Sequence, residues 1–383
     1  MVIMMNKPIF LGLYFIVIFQ AFNCGRSEYP VKIGKRENIQ TVFNPSYPKN
    51  RSSSIELIEL LSIGEKDGTI ESTFNTIKDI NIDPSGNIYV VDYSDNVVKI
   101  YDSSGVFVSI IGRKGQGPGE FIEPARVFFE SQNRIVVHEY GNGSRISRFS
   151  NNNDFINSFQ IGFSRELIGI DENDVYFYSV RENWNYSTGE ETISFSRYNA
   201  DNSKINQITQ LKGQNGTPMT RGGLWRTGYE SGSVNYALRQ NGELIIGKSD
   251  MYKFSVFDKN GNLKLLFGRK WRPVEVTESE KMKLSVNPFD QKLIPDKKPA
   301  FRISYFRFLT DDKNNFWVLT FEDEGEGYTY DIFNSDGIYI KKVFFKWNGS
   351  KVMPYYIRRN KVYALHIDEF GVNRVKVYRY KFL

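Results

Sequence analysis

Three of the five tryptophans, Trp184, Trp225 and Trp271, fall in or beside three stretches that interrupt an otherwise regular pattern: 180–191, 212–233 and 269–300. Tyr186, Tyr229, Arg221, Arg226, Arg272 and Lys292 accompany them. Trp, Tyr and Arg dominate binding hot spots, because each joins a large contact area to a polar or charged tip. Aromatic faces also stack on sugars and cations. The chemistry these residues suit is recognition. Trp184, Tyr186, Arg221, Trp225, Arg226, Tyr229, Trp271 and Arg272 form the expected contact set, and a protein, peptide or glycan is the expected ligand. The plainer alternative is that the aromatics pin the insertions to the scaffold as a local core.

Catalytic patterns are scarce. The two histidines, His138 and His366, stand at different positions of the repeat described below, so no shared ligand role follows. There is no HExxH, no GxSxG and no cysteine placed as a nucleophile. Asp79, Asp92 and Glu139 are the carboxylates that a central channel would offer to a calcium or similar ion. They carry the rival expectation, a metal-dependent hydrolase or lyase acting at the channel mouth. No other cofactor is expected. The glycine-rich run GRKGQGPGEF (112–121) lacks a following GK[ST] and opens no helix pattern. Its glycines suit a chain returning from an outer strand to an inner one.

The regular pattern is a repeat. In 79–111, short β-branched and aromatic runs alternate with turn signals: Pro84-Ser85-Gly86-Asn87, then 93–96, then Ser103-Ser104-Gly105. Looser copies follow, with Ile88, Ile135, Val175, Leu244, Phe316 and Val362 at equivalent positions. Four short antiparallel strands cannot bury both faces alone, so stacked copies are needed. Six units of this size give an all-β, six-bladed β-propeller. The sixth unit stops after its third strand at Leu383, and a spare apolar strand, Ile55–Ile63, precedes the first unit. That N-terminal strand is expected to complete the last blade and close the ring. Turns between second and third strands share one end of the disc with the blade-to-blade links. All three insertions should therefore crowd one face over blades three to five, where loops on a rigid scaffold tend to carry function. The ends of the second strands, Asp92, Glu139, Ser179, Lys248, Thr320 and His366, are all polar and should form a rim there or brace neighbouring turns. Asp79, Arg126, Asn235 and Arg302, early in the inner strands, are expected to point into the channel mouth. The segment 277–286 opens on a Thr-x-x-Glu capping box and reads as one short helix.

The run GRKGQGPGEF, with Asp83-x-x-Gly86-Asn87-Ile88-Tyr89-Val90-Val91-Asp92 before it, resembles the NHL-type six-bladed β-propellers, in particular bacterial envelope lipoproteins. The resemblance spans about 55–383. It implies the propeller fold. It implies a binding platform for function, and distant members are lactonases and lyases, the former using a carboxylate and amide site.

Lys7 and the apolar run 9–22, too short for an ordinary membrane span of about 20 residues, read as an export signal over 1–23. The sole cysteine follows at once as Cys24, the expected lipidation site. With no second cysteine there is no intramolecular disulfide. Residues 24–54 are expected to be the lipidated cysteine and a polar tether, and 55–383 the propeller. A formal net charge of +6 over 383 residues is mild, and no Lys/Arg run marks a nucleic-acid partner. An envelope-anchored monomer, with partners in the envelope and a membrane contact through its lipid, is the expectation.

Overall fold

A computed structural model describes residues 29–50, 55–140, 143–183, 185, 190–214, 217–218, 224–225, 232–284, 296–302, 308–321, 327–346 and 351–383. Cys24, Trp184, Tyr186, Arg221, Arg226, Tyr229 and Lys292 lie outside these residues. Of Trp225 only the backbone is described.

The repeat becomes six antiparallel sheets. Blade one is Ile77–Ile82, Ile88–Asp92, Val97–Tyr101 and Phe107–Ile111, paired in that order. Blades two and three follow as Pro124–Phe129 to Phe155–Gln160 and Arg165–Ile170 to Lys204–Gln214. Blade four runs from Val234–Leu238 to Leu263–Arg269, and blade five from Leu309–Thr310 to Tyr339–Lys346. Blade six has Lys351–Arg358, Lys361–Ile367 and Asn373–Phe382. Its outer strand is Ile55–Ile63, antiparallel to Asn373–Phe382 with Ile63 opposite Val375 and Ile55 opposite Phe382.

The turns explain why the sequence repeats as it does. Asp83 Oδ1 accepts the backbone N–H groups of Gly86 (2.7 Å) and Asn87 (2.9 Å). Asp102, Asp171, Asp258, Asp311, Asn334 and Asp368 do the same for residues two and four ahead. Each side chain mimics a backbone turn and satisfies amides that the ladder cannot reach. The backbone N–H of Val372 is the main cause that holds the Asp368 carboxyl below the usual range. Gly337, at φ +78°, shows why glycine recurs late in the turn: a Cβ there would stand 2.6 Å from that of Phe267 in the preceding blade.

The core is divided among the blade contacts. Among the described residues, one apolar cluster lies between each pair of successive blades, and one joins blade six to blade one through Met353, Leu365 and Val375 against Ile80, Ile82 and Val90. Both faces of an inner strand are therefore covered, and Ile88–Asp92 is buried throughout. Hence the strands read as continuous apolar runs rather than as alternation.

The segment expected to be a tether is corrected over 31–50. Lys32–Arg36 and Ile39–Asn44 form a hairpin, and Ile39–Asn44 runs parallel to Leu263–Arg269, widening blade four to six strands. Val42 enters the core between blades four and five. Buried Asn44 donates through Nδ2 to Gly268 O and Gly337 O, both at 2.8 Å, and its Oδ1 accepts Tyr339 N–H at 2.9 Å. One amide thus laces two blades. The six-residue run IQTVFN holds only three apolar side chains, too faint a signal beside its polar flanks. The unit Val31–Leu383 is compact.

The capping box is present as read. Thr277 N donates to Glu280 Oε2 at 2.8 Å, Glu280 N to Thr277 Oγ1 at 3.3 Å, and the helix is Glu278–Leu284.

Candidate functional site

The link from blade four to blade five and the end of blade five's second strand enclose an open cavity of about 740 Å³. Trp271, Arg272, Lys270, Pro273, Thr320 and Phe321 line it, and Ser46 of the N-terminal segment joins them. Loops after second strands and blade-to-blade links do share this end of the disc. Trp271 is half-buried and leans on the core cluster of blades four and five, so it serves partly as the local anchor that the plainer reading foresaw. Arg272 and Lys270 are exposed.

The floor of this cavity is fixed by a buried ion pair. Arg269 Nε meets Asp331 Oδ2 at 2.6 Å, with side chains 4% and 0% exposed. The guanidinium carbon lies 4.3 Å from the centre of the Tyr252 ring. Tyr252 and Tyr339 both donate their hydroxyls to Asp331. Burial holds both phenols far above their usual range, so they remain protonated donors. A second cavity of about 490 Å³ lies between blades three and four, lined by Asn183, Glu190, Lys212, Lys248 and Asp250 among others.

The carboxylates expected to gather a metal ion are not brought together. Asp92 accepts the backbone N–H groups of Asn75 and Thr76 and pairs with Lys99 Nζ at 3.0 Å, wholly buried. Glu139 pairs with Arg145 at 2.5 Å and accepts the N–H of Ile122. Asp79 accepts the N–H of Val127 in the next blade. Among the described residues no group of three or more His, Cys, Asp or Glu is placed to hold a metal. The expected rim at the ends of the second strands is largely buried bracing: Asp92, Glu139, Ser179 and Thr320 are each at most 3% exposed.

Of the four residues expected in the channel mouth, Arg126 anchors a polar cluster that the sequence alone did not disclose. Its Nη2 meets Glu166 Oε1 at 2.5 Å. Tyr236 OH donates to Glu166 Oε2 at 3.0 Å and Tyr140 OH to Oε1 at 3.3 Å. Blades two, three and four are thereby tied through one carboxylate. Burial is the largest single influence on Glu166 and would raise it, but Arg126, with Arg181 and the Tyr236 hydroxyl adding to it, holds the carboxyl below its usual range. His138 packs edge-on against Tyr140, 5.0 Å between ring centres, and neither ring nitrogen has a hydrogen-bond partner among the described residues. Burial pushes it down to about 4. The cluster ties three blades together where Tyr140 reaches solvent. The signal for it was register: Arg126 lies opposite His138 and Glu166 opposite Ser179, pairings that no single strand announces.

That histidine gives a pH prediction. Its folded pKa lies below the unfolded value near 6.5, so the unfolded chain binds the extra proton first. Stability should be complete above about pH 6.5 and fall as pH drops towards 4, by up to about 3 kcal/mol. Melting curves between pH 7.5 and 4.5 check this: His138→Phe should flatten the slope relative to the parent. Equal slopes would remove His138 as the cause.

Residues 36–219 match the model of the DUF5128 family, described as a 6-bladed β-propeller. A search of curated protein sequences returns no match. Among solved structures, a member of the DUF4221 family from Bacteroides vulgatus aligns with a TM-score of 0.55 at 13% identity, over 87% of this chain and 99% of that one. A candidate exported protein from Bacteroides fragilis aligns with a TM-score of 0.55 at 10% identity, over 90% of this chain and 99% of that one. A gluconolactonase from Xanthomonas campestris aligns at a TM-score of 0.46 and 10% identity, over 85% of this chain and 90% of that one. The family model and the six sheets together establish a six-bladed β-propeller and leave activity open.

Proposed function

We propose that this chain is a non-catalytic binding propeller of the NHL type, exported and lipid-anchored at Cys24, that captures an envelope protein, peptide or glycan on its loop-rich face over blades three to five. The observation that carries the reading is the cavity of about 740 Å³, where exposed Lys270 and Arg272 flank half-buried Trp271 above a rigid Arg269–Asp331 floor. Its volume falls within the range of about 300–1,000 Å³ of ligand pockets. A floor whose rotamers are already fixed reduces the ordering cost of binding.

The test is binding of residues 25–383 to a glycan array and to fractionated envelope protein. Arg272→Ala and Lys270→Ala together should weaken capture by about 30-fold or more, as hot-spot losses of about 2 kcal/mol do, with the melting point held. Trp271→Ala should weaken capture and also lower the melting point, because the indole rests on the core. Undiminished capture by the Lys270/Arg272 double variant would move the site elsewhere on the molecule.

A further inference from the structure

The opposite end of the channel holds a third cavity that shares no residue with the other two. It measures about 250 Å³, and the inner strands of all six blades line it, from Asn81 and Ile82 in blade one to Ile357 and Arg358 in blade six. That is just under the usual size of a ligand pocket, so it suits a small molecule and excludes a polymer chain. Its wall is mixed: Ile82, Phe128, Ile168, Leu309 and Ile357 border it from the clusters between blades, and Asn81, Arg239, Gln240, Asp311, Asp312 and Arg358 add polar groups.

The polar groups of this well are unevenly spent. Asp311 is committed to its own turn and to Trp317 Nε1. Asp312 accepts the N–H of Arg359 at 3.0 Å. Donors remain over. The Arg239 side chain is 4% exposed and is held by Glu243 through Nη1 and by Ser335 O through Nη2. Arg358, half-buried, pairs with no acid among the described residues, and the Gln240 amide is exposed at the rim. Guanidinium groups favour carboxylates through charge-assisted bonds.

We propose that this well binds a small organic carboxylate. The carboxylate faces Arg358 and Gln240, and the rest of the molecule sits among the inner strands. The site is independent of the loop-rich face.

Titration calorimetry on residues 25–383, which contain the whole compact unit, tests it with phenylacetate and hydrocinnamate as probes and phenylacetamide as the neutral counterpart. Both carboxylates should bind and the amide should not. Arg358→Gln should weaken binding about tenfold, the loss of one charge-assisted hydrogen bond. Leu238→Trp, which fills the lumen, should abolish binding, and Arg272→Ala at the other end should leave it unchanged. Absence of binding by both carboxylates, equal binding of acid and amide, or an unchanged affinity in Arg358→Gln would overturn the proposal.

Discussion

A chain that begins at Gly64 is expected to lose the folded state at ambient temperature and to aggregate, whereas a chain that begins at residue 51 melts cooperatively. The first lacks Ile55–Ile63; the second keeps it and loses the hairpin together with residues 45–50, whose Lys49 and Asn50 amides donate to Tyr339 O and Ile340 O. Ile55–Ile63 satisfies the edge of Asn373–Phe382 along its length. Each backbone hydrogen bond is worth about 1 kcal/mol net. Ile55, Leu57, Leu61 and Ile63 also pack against the clusters on either side of blade six. Ile63 is buried and the other three are half-buried; full burial of such a side chain contributes about 1.5–3 kcal/mol, and half-burial correspondingly less. Together these losses match a total stability of about 5–15 kcal/mol. The bare edge would expose a long row of unpaired amides beside Val375, Val377 and Tyr380, which invites pairing between chains. Calorimetry and light scattering on the two truncations decide the matter. If the Gly64 chain melts within a few degrees of the longer one, the outer strand of blade six is dispensable.

The second large effect is expected at Asp331. Replacing it by alanine leaves Arg269 charged and buried, and strips both tyrosine hydroxyls of their acceptor. Breaking a buried pair on one side costs about 3–5 kcal/mol, because the remaining charge is neither solvated nor matched. The double variant Arg269→Met, Asp331→Leu should recover much of that loss, since removing both charges removes the penalty too. Denaturant unfolding of the two variants measures both numbers. A loss under 1 kcal/mol in Asp331→Ala would mean that water reaches Arg269. The same comparison bears on the binding face, because Arg269 forms its floor.

Much of the fold was legible from local chemistry. The Asp-x-x-Gly-Asn turns repeat because each needs one acceptor side chain and one residue tolerant of positive φ. The helix after Thr277 was legible because its cap lies within four residues. The apolar strand Ile55–Ile63 was legible because nothing near it in the chain gives it a partner. Less of the candidate site was open to such reading. Trp271 and Arg272 were singled out by residue type, and both line the cavity. Asp79, Asp92 and Glu139 were chosen by type as well. Their partners, Val127 N–H, Lys99 and Arg145, turn them into braces.

The sequence by itself determined the number of blades, the turn chemistry and the places where insertions break the repeat, because these depend on contacts between residues near in the chain. The tertiary structure alone decided what depends on residues far apart. It placed Ile39–Asn44 beside Leu263–Arg269, joined Arg126 to Glu166, and set Arg269 on Asp331. It also opened the well between six inner strands. The physical reason is register: one residue of slip turns a side chain from the channel to the blade interior, and only packing of every blade at once fixes it.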